Sequence, residues 1–163
     1  MSCCGLDDGC AAALATLLEK NTSLTSISLR TNSVGDETMT ALSEALESNK
    51  DTKLATLNLG VNRIGTEGGL ALAKMLKTNT SLTDINLSFN NLGEKFGAVL
   101  AHSLEEGLNK TLAKISLRNN GLGENGVEWL TDMQAAGKTG LTEFDSYHNT
   151  AHYPTKVLLL LLL

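Results

Sequence analysis

The chain has 163 residues, of which 42% are apolar and only 4% aromatic, and it carries a net charge of −5. A chain of that length buries a core without disulfides or metals, and with so few aromatic side chains Leu, Ile, Val and Ala must fill it. Thirteen basic residues scattered among eighteen acidic ones offer no clustered cationic surface, which argues against a nucleic-acid partner. Cys3, Cys4 and Cys10 all fall in the first ten residues, so they cannot staple the rest of the chain, and a reducing compartment is expected. No basic and apolar leader opens the sequence, and no apolar run reaches the roughly 18 residues of a membrane span. The expectation is a cytoplasmic protein with no signal peptide.

In chain order, the first predicted element is a helix from about Asp7 to Lys20. A short strand follows in TSISLRTN at 25–32, where apolar and polar residues alternate. Val34, Met39, Leu42, Ala45 and Leu46 then recur with the helical period. The same alternation of strand and helix returns three times. The later helical faces carry Leu70, Ala73, Met75 and Leu76, then Phe96, Val99, Leu100 and Leu104, then Val127, Leu130 and Met133. A final strand-like segment surrounds Phe144. Each of these helices starts at a glycine followed by acidic or hydroxyl residues, as in Gly35-Asp36-Glu37 and Gly65-Thr66-Glu67, which suits a cap and the helix dipole. Asn49, Asn79 and Asn109 close them, and a left-handed turn is expected there. The Asn-x-Ser/Thr triplets at Asn21, Asn79 and Asn109 are read as part of this same helix-ending position.

The strand segments are one phrase written five times. Its first leucine stands at Leu24, Leu54, Leu82, Leu112 and Leu141, in steps of 30, 28, 30 and 29 residues. Its asparagine stands at Asn32, Asn62, Asn90, Asn120 and Asn149. Such a period announces a repeat architecture. Strand, helix and strand in succession demand parallel pairing across a crossover, and one repeat cannot cover its own apolar edge, so neighbours must stack.

The pattern L-x-x-L-x-L-x-x-N-x-L resembles the leucine-rich repeat, and the period near 29 with a helical second half is similar to the ribonuclease-inhibitor type. The resemblance implies an α/β solenoid: a short right-handed arc with a parallel sheet on the concave face and helices on the convex face. Residues 1–150 are expected to form this domain, with about five repeats and the first incomplete. Residues 151–163 form a C-terminal segment ending in the Leu-rich run VLLLLLL, which leaves open a peripheral contact through residues 157–163 but is too short to span a membrane. Related-looking repeats occur in ribonuclease inhibitors, NOD-like receptors, tropomodulin and activators of Ran-type GTPases.

At the bend leaving each strand, backbone groups turn away from the ladder and need partners inside the stack. An amide side chain has both donor and acceptor, so Asn32, Asn62, Asn90, Asn120 and Asn149 are expected to be structural. The resemblance implies that partner proteins meet the concave side. The candidates there are Arg30, Asn58, Asp84, Asn86, Phe89, Lys114, Arg118, Glu143 and Tyr147, of which Arg30, Phe89, Arg118 and Tyr147 are of the types enriched in binding hot spots. His148 and His152 stand four apart, but Pro154 and the turn-rich surroundings oppose a helix, so no metal site is assigned. No catalytic constellation and no phosphate-cradling motif stands outside the repeat, and no cofactor is implied. The expected function is a non-enzymatic protein-interaction module or scaffold. Two alternatives stay open: a structural subunit of a larger assembly docked by its Leu-rich tail, and a regulator of a small GTPase.

Overall fold

The computed structural model describes residues 5–137 and 139–150. The Leu-rich run at 157–163, His152, Pro154, Cys3 and Cys4 lie outside the described residues. After a 3-10 turn at Asp8–Cys10, five helices alternate with five strands: α1 (Ala11–Lys20), β1 (Ser26–Ser28), α2 (Asp36–Ser48), β2 (Thr56–Asn58), α3 (Thr66–Leu76), β3 (Asp84–Asn86), α4 (Gly93–Glu106), β4 (Lys114–Ser116), α5 (Gly123–Ala135) and β5 (Glu143–Asp145). The strands form one parallel sheet in the order β1-β2-β3-β4-β5, with Ile27, Leu57, Ile85, Ile115 and Phe144 in register at its centre.

These central residues point inward with the leucines on either side of them. Leu54, Leu57, Leu59, Leu82, Ile85 and Leu87 are fully buried. They meet the apolar stripes of the helices, including Leu42, Leu72 and Leu100, in one continuous core. Parallel strands lie about 4.8 Å apart, whereas packed helices need about 8–10 Å. The two layers stay in step only if the stack bends with the sheet inside, so the architecture is an α/β leucine-rich-repeat solenoid.

Two local expectations are corrected. The helix starts are not capped from within. Gly35 and Gly65, which precede α2 and α3, receive no side-chain cap of their own. The carboxylate belongs instead to the repeat before. Asp8 accepts from the Gly35 amide at 2.8 Å and from the Thr38 amide and hydroxyl at 3.1 and 2.7 Å. Asp36 accepts from the Gly65 and Gly68 amides at 2.7 and 3.0 Å. Burial works against the charge on Asp8, but the Thr38 hydroxyl and the two amides outweigh it and hold the carboxyl below its ordinary value.

The helix-ending residues Asn49, Asn79 and Asn109 are not left-handed either. Asn49 is extended, with φ −84 and ψ 93. Among the described non-glycine residues, positive φ occurs at Thr31, Val61, Phe89, Asn119 and His148, the residues where the chain leaves each strand. Their amides explain how the strained conformation is held: Thr31, Val61, Phe89 and Asn119 donate to the carbonyls of Gly60, Ser88, Arg118 and Tyr147 in the next repeat, at 2.8–2.9 Å.

Candidate functional site

The outward residues of the sheet stand in columns, because the register aligns equivalent positions. One column runs Ser26, Thr56, Asp84, Lys114 and Glu143. Here Lys114 Nζ lies 2.7 Å from Glu143 Oε1. The hydrogen bond and charge of Glu143, with a smaller contribution from Asp84, raise the Lys114 pKa above the ordinary lysine value. Both side chains are about half exposed or more, so the pair orders the surface more than it stabilises the fold.

The next column, Ser28, Asn58, Asn86, Ser116 and Asp145, is tied to its own backbone. Asn58 Oδ1 accepts from the Gly60 amide at 3.1 Å. Asn86 Oδ1 accepts from the Ser88 amide at 2.9 Å and hydroxyl at 2.6 Å, and Asp145 Oδ1 accepts from the Tyr147 amide at 3.1 Å. The side-chain oxygens of Asn58 and Asn86 are therefore committed to the strand exit, a local bond that short polar side chains commonly make. Together the two columns line a shallow depression of about 570 Å³ between Asp84 and Asp145.

The third column holds the large groups. A Cβ on Gly60 would lie 2.9 Å from Arg30 Nη1, 3.0 Å from Asn86 Oδ1 and 3.2 Å from Ser88 Oγ. The missing side chain is what lets the Arg30 guanidinium lie across this position. Arg118 Cζ sits 4.8 Å from the centre of the Tyr147 ring, and that ring meets His148 edge-on at 4.1 Å. Phe89 belongs beside this column: it occupies the left-handed exit of β3 and is 44% exposed. The structure thus brings Arg118 and Tyr147 together, whereas Arg30 follows β1, with the strands β2 and β3 between it and Arg118.

On the inner side, the recurring asparagines join consecutive turns. Asn62 Nδ2 donates to Leu59 O of its own repeat and to Leu29 O of the repeat before, both at 2.9 Å. Its Oδ1 accepts from the Val34 amide at 3.1 Å. Asn90 repeats the pattern on Leu87 O, Leu59 O and the Ile64 amide. Asn32 donates to Leu29 O and accepts from the Leu6 amide. Asn149 bridges Leu117 O and the Asn120 amide, each at 2.8 Å. Asn120 donates to Leu117 O and Leu87 O, but its buried Oδ1 has no partner.

A second row of asparagines has a bonding role that the sequence did not reveal. Asn49 Nδ2 donates to Leu18 O at 2.7 Å and Asn109 Nδ2 donates to Leu76 O at 3.0 Å, so each closes a carbonyl at the end of the preceding helix. The Oδ1 of Asn21, Asn79 and Asn109 accepts from the amides two and three residues on. Their spacing of about one repeat was the available signal.

Among the described residues no group of His, Cys, Asp and Glu is arranged to hold a metal, and no helix is long and apolar enough to cross a membrane. The family model described as "Leucine Rich repeat" matches residues 20–43, 50–73 and 78–95. Among solved structures, that of "Leiomodin-1 Actin-Binding Site 2 (ABS2)" superposes with a TM-score of 0.73 at 19% identity, covering 92% of this chain and 83% of that one. At that identity the likeness speaks for the fold. No curated protein matches the chain by sequence. The matched copies and the same phrase continued through β4 and β5 on a shared backbone agree on one fold: leucine-rich repeats stacked as an α/β solenoid.

Proposed function

We propose that the chain is a protein-interaction module whose sheet face binds a partner protein. The observation that carries this reading is the Arg118–Tyr147 stack, with exposed Phe89 on the adjoining β3 side. Arginine and aromatic residues supply much of the energy at interfaces. Here they are held by the repeat before any partner arrives, which limits the ordering cost of association. The paired and locally bonded residues Lys114, Glu143, Asn58 and Asn86 serve as a polar surround.

The leiomodin segment that shares this fold is named for an actin-binding site in that protein, which makes actin the first partner to test here. Replacing Phe89, Arg118 and Tyr147 together with Ala is expected to weaken co-sedimentation with filamentous actin, or capture of another identified partner, at least tenfold. The circular dichroism spectrum should be unchanged, since Phe89 and Tyr147 are exposed. Undiminished binding by this triple variant would reject the sheet face as the site.

A further inference from the structure

The helix side of the solenoid departs from its own grammar at one place. Seven residues after Leu6, Val34, Ile64 and Leu92 stand Ala13, Ala41, Ala71 and Val99, but seven after Leu122 stands Trp129. It is the chain's only tryptophan and is 45% exposed. The core does not require bulk at this position, because the equivalent residues are small.

Trp129 forms a wall of a groove of about 330 Å³ between α4 and α5. The helices meet backbone to backbone at their N-terminal ends: a Cβ on Gly97 would lie 2.7 Å from Gly126 Cα. Farther along, Ala98, Ala101 and Ala136 leave an open trough walled by exposed Trp129, with Met133 buried beneath it. The lining residues recur on both helices at intervals of three and four, at 98, 101, 102 and 105 and again at 129, 132, 133 and 136. Two parallel helices spaced in this way present the furrow that a third helix fills with its own apolar stripe.

The charge around the trough selects its occupant. Glu105 and Asp132 line it, and Glu106 and Glu128 flank it. His102 is turned to Glu106 at 3.1 Å. The stretches 96–109 and 119–137 carry no lysine or arginine and are bordered in sequence by Lys95, Lys110, Arg118 and Lys138. This acidic rim disfavours nucleic acid and anionic membrane, and it disfavours a second copy of a chain with a net charge of −5.

We propose that the groove between α4 and α5 docks a basic amphipathic helix of a partner protein. Trp129 covers its apolar stripe, and Glu105 and Asp132 meet its Lys and Arg residues. This site lies on the opposite layer from the sheet face and does not depend on it.

Trp129 is its own reporter. The intact chain is titrated with a helix-forming Leu/Ala/Lys peptide of about 18 residues and, in parallel, with its Leu/Ala/Glu counterpart. The Lys peptide is expected to shift the tryptophan emission to shorter wavelength in a saturable manner, more weakly at high salt, and the Glu peptide to leave it unchanged. Converting Glu105→Lys and Asp132→Lys together should weaken the Lys peptide at least tenfold with an intact circular dichroism spectrum. Replacing Phe89, Arg118 and Tyr147 with Ala should leave peptide binding as it was. No shift with the Lys peptide, equal shifts with both peptides, or unaltered affinity in the charge-reversed variant would each overturn the proposal. So would an emission shift driven by protein concentration alone, which would assign the groove to a second copy.

Discussion

The turns into α2 and α3 and those into α4 and α5 occupy one frame of the repeat and solve it in opposite ways. In the first pair, Gly35 and Gly65 are extended, with φ −117 and −95, and an aspartate of the repeat before holds their amides. In the second pair, Gly93 and Gly123 are left-handed, with φ +76 and +68, and their amides donate to the carbonyls of Asn120 and Asn149 in the repeat after. The residue aligned with Asp8 and Asp36 is now Thr66 and then Glu94. Thr66 has a donor where Asp36 had only acceptors, and it takes the Leu92 carbonyl at 2.9 Å. Glu94 reaches past the turn to Asn125 Nδ2 at 2.6 Å. The side chain one repeat upstream thus differs together with the conformation of the turn it faces. Near the second kind of turn lies the unpartnered Oδ1 of Asn120, the place where the regular pattern of amide acceptance lapses.

The largest effect that tests this contrast is loss of the reaching carboxylate. Asp36→Ala leaves the Gly65 and Gly68 amides without their acceptor and should cost about 2 kcal/mol by denaturant unfolding. Thr66→Ala removes one bond to a carbonyl and should cost only about 1 kcal/mol. Equal costs would mean that the two side chains do not have different roles.

The glycines should then separate by cause. Gly93→Ala forces an L side chain into left-handed backbone at about 1–2 kcal/mol, and that cost should persist in the Thr66→Ala background. Gly65 is extended, and the three atoms nearest to a Cβ there all belong to the Asp36 carboxylate, with Oδ2 at 2.9 Å. Gly65→Ala should therefore be harmful in the native chain and close to neutral, or stabilising by up to about 1 kcal/mol, once Asp36 is Ala. A double-mutant cycle without coupling between 36 and 65 would dissolve the distinction.

The smallest effect is a pH signature of Asp8 at the turn into α2. Because the folded chain lowers the Asp8 pKa, its contribution is present above the ordinary carboxyl value of 3.8 and is lost as pH falls through the lower folded value. Asp8→Asn should flatten that part of the acid limb of a stability profile measured by denaturant unfolding, and an unaltered acid limb would show that the bonds to Gly35 and Thr38 do not carry it.

Much of this molecule is legible in the sequence, for a physical reason. The positions of Leu54, Leu57, Leu59 and Asn62 are dictated by burial and by backbone bonding within one repeat, so period and residue type reveal them. The alternation of each strand likewise identifies which residues face outward. What stays hidden depends on contacts one repeat away. Asp8 and Asp36 look like first-turn acids of their own helices, and nothing local shows that they cap the next one. Val61 and Phe89 are residue types that disfavour positive φ, and only the carbonyls of Ser88 and Arg118 explain why they adopt it. The Arg118–Tyr147 stack and the bound oxygens of Asn58 and Asn86 similarly require the stagger of neighbouring strands. Trp129 was visible as a letter, but its significance came only from comparing the same helical position across the repeats.

The second asparagine row has a consequence for chemical modification. Asn109 is 1% exposed and Asn79 is 8% exposed, yet both stand in triplets of the kind an oligosaccharide transferase accepts. A sugar on Asn109 would replace a proton on the nitrogen that now donates to Leu76 O, and it would have to leave through the packed ends of two helices. The folded solenoid and a glycan at that nitrogen exclude one another. Attachment before folding would hold the repeats of α3 and α4 apart where their carbonyl and amide now meet.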